Sequence, residues 1–337
     1  MTDANFHMYT SFDNMSLVKI ITLLKSHKSE YLSGQDISEP LKLSRAAVWK
    51  HIKKLQSLGY KIDSKPKLGY RLTKTTDLLL PWEIKDELQT ESLGKKIYYF
   101  DTINSTQNFA IELGSKPNEN GTLVISERQT HGRGRLNRKW TSPRGGIWFS
   151  VILHPSFDIS HATLFPIATS LALAIAIEKV LKIKPRLKWP NDLTVSDKKV
   201  AGILMDLSVE SGKIEHLILG VGINFRINPH EIERAIKNTP HYYGVTTLVK
   251  KDSKTSAVKL VQAFLYELEN VYKITSVGNF AHIIKEWTKR SSTIGKTITI
   301  STPSGKIRGK AVRIDNDGAL VLSSQGKNQR ILVGDVS

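Results

Sequence analysis

The sequence contains no cysteine, and that absence excludes several classes of site. Without a thiol in its 337 residues, the chain has no disulfide framework, no thiolate nucleophile and no cysteine-ligated zinc. It suits a reducing compartment, and we expect a cytoplasmic protein. A long hydrophobic run is missing too, because the most apolar stretch, residues 164–177, is interrupted by Pro166, Thr169 and Ser170. This stretch is too short to span a bilayer and predicts a buried helix.

Acidic residues are scarce beside basic ones. The chain has 31 Asp and Glu against 49 Lys and Arg, a net charge of +18. This excess favours an anionic partner, although a generally basic proteome would also produce it. Half of the excess falls within residues 42–74, where ten Lys or Arg accompany one acid, Asp63. The position of the charge is therefore more informative than its total.

The basic segment has the pattern of a winged helix-turn-helix. Apolar residues at helical spacing predict a first helix over 16–25, and Ser33 and Ser44 are suitable N-caps for two further helices. Two short strands around a turn at 64–69 form the wing, with the helix-turn-helix at about 34–53. A winged helix that binds only protein, with its charges solvated, is the alternative. The side chains predicted to contact DNA are Arg45, Lys50, Lys53, Lys54, Lys65 and Lys67.

The rest of the chain divides into segments of different pattern. Residues 1–14 match no pattern, and we expect a disordered tail before a winged helix at 15–75. Alternating strand-like and helix-like runs over 80–290 predict an α/β or α+β domain. Short alternating strands over 291–337 predict a small all-β, barrel-like domain. The predicted strands of the central domain are 97–100, 123–126, 146–153, 187–189, 199–207 and 216–223, and its predicted helices lie around 106–113, 160–181 and 254–272.

Common catalytic motifs are absent. The Gly-Lys-Thr at 295–297 lacks the upstream glycine of a phosphate-binding P-loop, and the chain has no Gly-x-Ser-x-Gly. His230 and Glu231 lack the second histidine of a zinc-protease helix. No carboxylate cluster indicates a metal cage, so we predict no metal held by the protein alone.

An arginine-rich loop carries the first chemical signal. Residues 132–140 read GRGRLNRKW, and the two glycines let the backbone approach a ligand closely. The four cations that follow Gly132 would repel one another unless an anion lay among them, and guanidinium groups suit carboxylate and phosphate. We therefore predict a polyphosphate or acyl-phosphate site. A loop that binds RNA or DNA is the alternative that composition leaves open.

Further blocks accompany this loop in a fixed order. With Gln129, they are NSTQ at 104–107, LKWPNDL at 187–193, KKVAGIL at 198–204 and GVGINF at 220–225. Through these blocks the chain resembles biotin–protein ligases from about residue 97 to 335. With a winged helix in front, it is similar to the bifunctional bacterial members that also repress biotin synthesis genes.

The resemblance implies a fold and a reaction. The fold is an α/β multi-domain (α+β) one, with an N-terminal winged helix-turn-helix, a central class II synthetase-like domain and a C-terminal SH3-like β-barrel. The enzyme would use ATP with Mg²⁺ to form biotinyl-5′-AMP, then transfer biotin to a lysine of the biotin carboxyl carrier protein of acetyl-CoA carboxylase. Its adenylate-bound homodimer would bind operator DNA. The alternatives are a ligase with a vestigial winged helix and a biotin-sensing transcription factor without catalysis.

Site residues follow from the resemblance position by position. It implies catalytic roles for Lys188, which would hold the biotin carboxylate, and Arg135. Core packing is the alternative for Trp140 and Ile223. Asn137 stands where relatives often have glycine and should stiffen the loop modestly, and no site residue is assigned in the β segment. The implied biotin-binding residues are Ser105, Thr106, Gln107, Gln129, Gly132, Arg133, Gly134, Arg135, Trp140, Lys188, Gly220, Gly222 and Ile223. Those implied for ATP and the adenylate are Arg135, Arg138, Lys188, Lys199 and Asn224.

Overall fold

The structure, a computed structural model, describes residues 8–10, 15–28, 30–156, 158–237, 242–276, 278–302, 305–324 and 326–336. Its α-helices are α1 (Met15–Ser26), α2 (Gly34–Leu41), α3 (Arg45–Ser57), α4 (Pro81–Lys85), α5 (Thr106–Gly114), α6 (Phe165–Leu181), α7 (Pro229–Ile236), α8 (Ala257–Ser276) and α9 (Phe280–Arg290). Its strands are β1 (Met8–Thr10), β2 (Lys61–Lys65), β3 (Gly69–Lys74), β4 (Ile97–Phe100), β5 (Leu123–Ser126), β6 (Ile147–Leu153), β7 (Arg186–Lys188), β8 (Asp192–Val195), β9 (Lys198–Glu210), β10 (Lys213–Ile223), β11 (Thr297–Thr302), β12 (Gly305–Ile314), β13 (Leu320–Ser324), β14 (Lys327–Ile331) and β15 (Asp335–Val336).

Helices α1 to α3 and the β2–β3 hairpin form the predicted winged helix. Ser33 caps α2 in a capping box with Asp36, and Ser44 caps α3 by accepting from the Ala47 amide at 3.1 Å. These caps satisfy amide groups that a helix start leaves unpaired. The predicted apolar stripes are the ones buried at the centre of this unit: Leu17, Ile20, Ile21, Leu24, Val48, Ile52 and Leu55.

One prediction about the first residues is wrong in part. Met8–Thr10, inside the segment expected to be a disordered tail, form β1 and pair antiparallel with β4. Three residues are too few to show a strand pattern, and their pairing depends on β4, which lies far along the chain. The remainder of 1–14 lies outside the described residues.

The central unit is an eight-stranded mixed sheet in the order β1-β4-β5-β6-β10-β9-β8-β7. Its longest pair, β9 and β10, is antiparallel. A helical segment, Ile159–Leu181, is long and apolar enough to cross a membrane, but 67% of its most apolar window is buried inside the fold. It is the core helix that the sequence predicted, since α6 packs against α8 beside the sheet.

The C-terminal unit is a five-stranded sheet in the order β14-β13-β12-β11-β15. It is the small β domain that the sequence predicted. Its last strand, β15, pairs with β11, where Val336 lies opposite Ile300 and Asp335 lies opposite Ser301. This pairing holds the end of the described chain in the C-terminal sheet.

A polar cluster joins the winged helix to the central unit, and we call it the Glu83 network: Lys25, Tyr60, Trp82, Glu83 and Asp86. Lys25 lies 2.9 Å from Glu83 and 2.8 Å from Asp86. The Tyr60 hydroxyl donates to Glu83 at 2.5 Å and accepts from the Trp82 indole at 2.8 Å. Burial raises the pKa of Tyr60, as does the Glu83 charge. Tyr60 lies three residues after the end of α3, the recognition helix of the winged helix, so the network fixes that helix relative to α4.

Candidate active site

A cavity of about 340 Å³ opens between the central sheet, the loop at 132–140 and the β domain. The start of α5, strands β9 and β10 and the β7–β8 turn form its walls. All the predicted biotin and ATP residues line it except Gly132 and Ile223. The structure thus brings together side chains that are separated by up to 119 positions in the sequence, from Ser105 to Asn224.

At one end of the cavity several polar side chains form a hydrogen-bonded network. The Gln129 side-chain oxygen accepts from the Thr106 amide at 2.8 Å, and its nitrogen donates to Ser142 at 2.9 Å. The Thr106 hydroxyl lies 3.0 Å from Ser150, which donates to Gln107 at 2.8 Å. Such a fixed set of donors and acceptors suits a small ligand with both kinds of group, such as a urea.

Two glycines on β10 make room for the cavity. A Cβ atom at Gly220 would lie 2.5 Å from the Gln107 side-chain oxygen, and one at Gly222 would lie 2.5 Å from the Trp140 indole nitrogen. Both distances are shorter than van der Waals contact. A side chain at either position would therefore displace Gln107 or Trp140. The strand provides a floor of bare backbone between the polar end and Trp140.

The loop at 132–140, which we call the arginine loop, is closed by its own backbone. The Gly134 amide donates to Arg138 at 2.7 Å, and the Trp140 amide donates to Gly132 at 2.8 Å. The turn between them has positive φ at Leu136 (53°) and Asn137 (58°). Asparagine adopts this left-handed region more readily than most residues, so Asn137 fits a turn in which glycine would also serve.

Two arginines of this loop face a carboxylate of the β domain. Arg138 lies 2.5 Å from Asp335 and Arg135 lies 3.6 Å from it. Arg135 also donates to Asn191 at 3.2 Å and to the Gly334 carbonyl at 3.4 Å. Burial lowers the pKa of Arg135 and the Asp335 charge opposes the shift, but a guanidinium remains cationic.

Lys188, at the end of β7, is half-buried and faces an aromatic ring. Its ammonium lies 3.4 Å from the centroid of the Tyr243 ring. Burial lowers its pKa, and the charge of Asp192 opposes that shift. The Tyr243 hydroxyl donates to Asp192 at 2.7 Å, and the other carboxylate oxygen of Asp192 lies 2.6 Å from Lys199. One carboxylate thus holds Lys199 directly and orients the tyrosine ring that Lys188 faces.

The buried polar atoms at the cavity that have no hydrogen-bond partner among the described residues include the Asn224 side-chain oxygen and the Trp140 indole nitrogen. Unpaired polar atoms in a protein interior are costly unless a ligand or water satisfies them. Together with the cations of Arg135, Lys188 and Lys199, they indicate a cavity built for a polar, anionic guest.

Comparison with known proteins agrees with this geometry. The profile of the Biotin/lipoate A/B protein ligase family matches residues 99–224, an HTH domain profile matches 17–71, and the Biotin protein ligase C terminal domain matches 293–337. The bifunctional ligase/repressor BirA of Bacillus subtilis is 33% identical over 319 residues, covering 94% of this chain and 97% of the relative. The chain belongs to the biotin–protein ligase family. The Escherichia coli BirA is 29% identical over 330 residues, covering 96% of this chain and 98% of the relative.

Solved structures of biotin protein ligases have a similar fold. A biotin protein ligase from Aquifex aeolicus, in complex with biotin and ATP, superposes with a TM-score of 0.58 at 28% identity. The match covers 72% of this chain and 98% of that one. The central and C-terminal units therefore have the architecture of a biotin–protein ligase.

Two predicted residues of this ligase lie away from the cavity wall. Ile223 is fully buried in the main hydrophobic core, on the side of β10 opposite Gly220 and Gly222, as strand alternation requires. Its assignment to biotin is not supported. Gly132 lies beneath the arginine loop, where a Cβ atom would be 2.4 Å from the Trp140 carbonyl. It supports the loop instead of lining the site.

Other residues that line the cavity escaped the sequence prediction. Asn191 and Asp192 stand in the LKWPNDL block, but no role was assigned to them. Tyr243 and Asp335 had no local signal, because each reaches the cavity from a distant segment. The β segment, for which no site residue was expected, therefore contributes a carboxylate.

The candidate DNA-binding face lies on α3 and the wing. Arg45, Lys50, Lys53, Lys65 and Lys67 are exposed, whereas Lys54 is half-buried. Lys53 lies 5.8 Å from the ring of Trp49, which is 52% exposed, and Lys65 lies 5.2 Å from the Tyr31 ring. This face combines positive charge with an exposed aromatic side chain, a composition suited to a DNA groove.

Proposed function

We propose that this chain is an ATP-dependent biotin–protein ligase that forms biotinyl-5′-AMP and transfers biotin to a lysine of the biotin carboxyl carrier protein of acetyl-CoA carboxylase. We propose further that its adenylate-bound homodimer represses biotin synthesis genes from the cytoplasm. The observation that carries the ligase proposal is the cavity itself, with neutral polar groups around Gln129 at one end and the cations of Arg135, Lys188 and Lys199 at the other. A ring urea and a carboxylate at opposite ends of one ligand match this arrangement.

In the first step a biotin carboxylate oxygen attacks the α-phosphorus of ATP, and the bond to the β-phosphate breaks, giving biotinyl-5′-AMP and pyrophosphate. Two anions must approach each other, so the site must neutralise charge and hold both in line. Lys188 would bind the carboxylate, and Arg135, Arg138 and Lys199 would bind the phosphates. Asp335 now pairs with two of these cations, so phosphate would replace it there.

Mg²⁺ would accompany ATP as a complex with its phosphates, where it reduces their negative charge. No group of three or more metal-ligating His, Cys, Asp or Glu occurs among the described residues. The described residues therefore suit a Mg²⁺ ion that arrives bound to the nucleotide. Asp192 is already engaged by Lys199 and Tyr243.

In the second step the neutral ε-amine of the acceptor lysine attacks the acyl carbon of the adenylate, the bond to phosphate breaks, AMP leaves, and the nitrogen gives up a proton to solvent as the amide forms. Positive charge near the leaving phosphate favours this departure. Arg135, which the arginine loop holds over the cavity, would supply it. The same closed loop would exclude water, which otherwise hydrolyses the mixed anhydride.

The repressor half rests on the winged helix and its charge. Its recognition helix presents Arg45, Lys50 and Lys53 to solvent, and a symmetric dimer would place two such helices on paired half-sites. Two relatives covering nearly the whole chain are named bifunctional ligase/repressor. A ligase with a vestigial winged helix, or a biotin sensor without catalysis, would lack one of the two activities.

A ligation assay and a parallel DNA-binding assay separate these possibilities. The protein is incubated with ATP, Mg²⁺ and labelled biotin, with and without an apo carboxyl-carrier domain, and pyrophosphate and labelled carrier are measured. We expect pyrophosphate in both reactions and labelled carrier only where carrier is present. No pyrophosphate in either reaction would refute the ligase. Ligation without any DNA binding in a parallel gel-shift series would leave the vestigial winged helix as the correct interpretation.

A further inference from the structure

The environment of Lys188 differs from that of Arg135, Arg138 and Lys199. Arg135 and Arg138 face Asp335, and Lys199 faces Asp192. Lys188 forms no ion pair with a described carboxylate, and its contact is the face of the Tyr243 ring at 3.4 Å. That distance is well inside the roughly 6 Å within which a ring attracts a cation.

Tyr243 is itself held in place from its far edge. Its hydroxyl donates to Asp192 at 2.7 Å, and Asp192 is fixed in turn by Lys199 at 2.6 Å. A phenol that donates to a carboxylate gains electron density in its ring, which strengthens the attraction for a cation on its face. The ring is thus both oriented and electronically suited to hold an ammonium group.

We infer that Tyr243 is a positioning residue that seats the Lys188 ammonium on its ring and keeps it free of any carboxylate until substrate arrives. An ion-paired lysine would have to break its pair before binding a substrate carboxylate. A lysine on an aromatic face keeps its N–H donors available and is partly dehydrated already. This inference rests on the proposed function, since it assigns Lys188 to the biotin carboxylate and then to the acyl phosphate.

The attraction of the ring for a cation can be weakened without changing the shape of the ring. Tyr243→Phe is compared with variants carrying 4-fluoro-, 3,5-difluoro- and 3,4,5-trifluorophenylalanine at position 243, because each fluorine withdraws charge from the ring face. We expect kcat/KM for pyrophosphate release to fall stepwise, by about 10- to 30-fold across the series, the range expected for a desolvated cation–π contact of about 2 kcal/mol. Tyr243→Leu should reduce kcat/KM by at least as much. Tyr243→Phe should retain most of the activity that Tyr243→Leu loses. Thermal melts of each variant show whether it is folded.

The control is the same series in a Lys188→Ala background, with biotin affinity measured by calorimetry in both backgrounds. Biotin affinity should fall along the series only where Lys188 is present. An equal slope in both would mean that the ring contacts the ligand directly, and no slope in either would mean that it only fills space. Both results overturn the inference.

A second measurement needs no turnover. A proton spectrum of the free protein, with lysine labelled at the ε-carbon, should show the Lys188 ε-methylene shifted upfield by the ring, and the shift should disappear in Tyr243→Leu. An unshifted Lys188 signal would overturn the seat. A shifted signal in a protein that makes no adenylate would instead overturn the proposed function and leave the seat in place.

Discussion

At the scale of single residues, the cavity distributes its positive charge among different partners. Arg138 is paired with the Asp335 carboxylate, Arg135 is shared between Asp335 and neutral oxygens, and Lys188 rests on an aromatic ring. Each partner sets how easily a substrate anion can replace it. The residues that are paired least tightly are therefore those from which we expect the largest effects on the first half-reaction.

Lys188→Ala should slow adenylate formation strongly. A preorganised donor in a water-poor site contributes about 3–4 kcal/mol to the transition state, which corresponds to a loss of roughly 10²–10³-fold. Pyrophosphate release in single-turnover reactions measures it. Lys184→Ala, which removes an exposed lysine four positions earlier, is the matched control and should leave the rate unchanged. A rate for Lys188→Ala close to that of the control would contradict the assignment.

Arg135→Gly should slow activation without abolishing it, because Arg138 and Lys199 remain, and should lose its hold on the product. The arginine bridges the loop to Asn191 and Gly334, so its removal opens the cavity to water. We expect biotinyl-adenylate to escape and label exposed lysines of bystander proteins. Labelling of added albumin, detected with streptavidin, measures this. Intact activation with no bystander labelling would show that Arg135 is not a clamp.

At the scale of elements, much of the fold was predictable because its signals are local. The caps Ser33 and Ser44 and the apolar run of α6 predicted their helices from adjacent residues alone. Contacts between distant segments were not predictable in this way. Asp335 reaches Arg138 across nearly 200 positions, and β1 depends on pairing with β4. The arginine-rich loop predicted an anion site by itself, whereas the candidate biotin-binding residues were available only through the family's motifs. The side of β10 on which Ile223 lies shows the limit of transferring them.

Asp335→Asn should loosen the arginine loop in the absence of ligand. The substitution removes the charge that pairs with Arg135 and Arg138 and keeps the shape of the side chain. The loop should then open more often and be cut faster by trypsin at its arginines and lysine. The cleavage half-time of the loop, with Asp315→Asn of the same domain as control, measures this. Equal half-times for the two variants would mean that the loop is closed by its backbone alone.

The exposed cations of α3 should contribute to DNA affinity and not to ligation. Arg45→Ala, Lys50→Ala and Lys53→Ala should each weaken binding to DNA, and removing one phosphate-binding cation should reduce the slope of log K against log salt by about 0.9. Fluorescence anisotropy on duplexes selected from a random pool by the wild-type protein, with biotin and ATP present, provides the data. Lys213→Ala, at an exposed position of the central sheet, is the control. Equal loss of ligation would assign these residues to the fold.

At the scale of the whole molecule, ligand binding and DNA binding should be coupled. An adenylate that orders the arginine loop lowers the ordering cost of a later association, and such coupling typically amounts to about 1–3 kcal/mol, or roughly 5–150-fold. We expect a non-hydrolysable biotinyl-adenylate analogue to promote dimerisation and raise DNA affinity by a factor in that range. Apo carrier protein should lower DNA affinity in the presence of biotin and ATP by consuming the adenylate. Sedimentation and anisotropy test both, and an analogue that changes neither would leave the ligase without its repressor half.

The Glu83 network has a consequence for the kind of DNA such a dimer would accept. Where a DNA-binding unit hangs on a flexible tether, it tolerates half-sites at many separations. Here Tyr60, Lys25 and Trp82 fix the recognition helix to the enzyme, so the gap between two such helices would be a dimension of the catalytic dimer. The enzyme would therefore set the spacing between half-sites. One added base pair between half-sites rotates one relative to the other by about a tenth of a helical turn. A rigidly attached recognition helix could not move to follow that rotation. Operator spacing would then be inherited from the part of the protein that handles biotin.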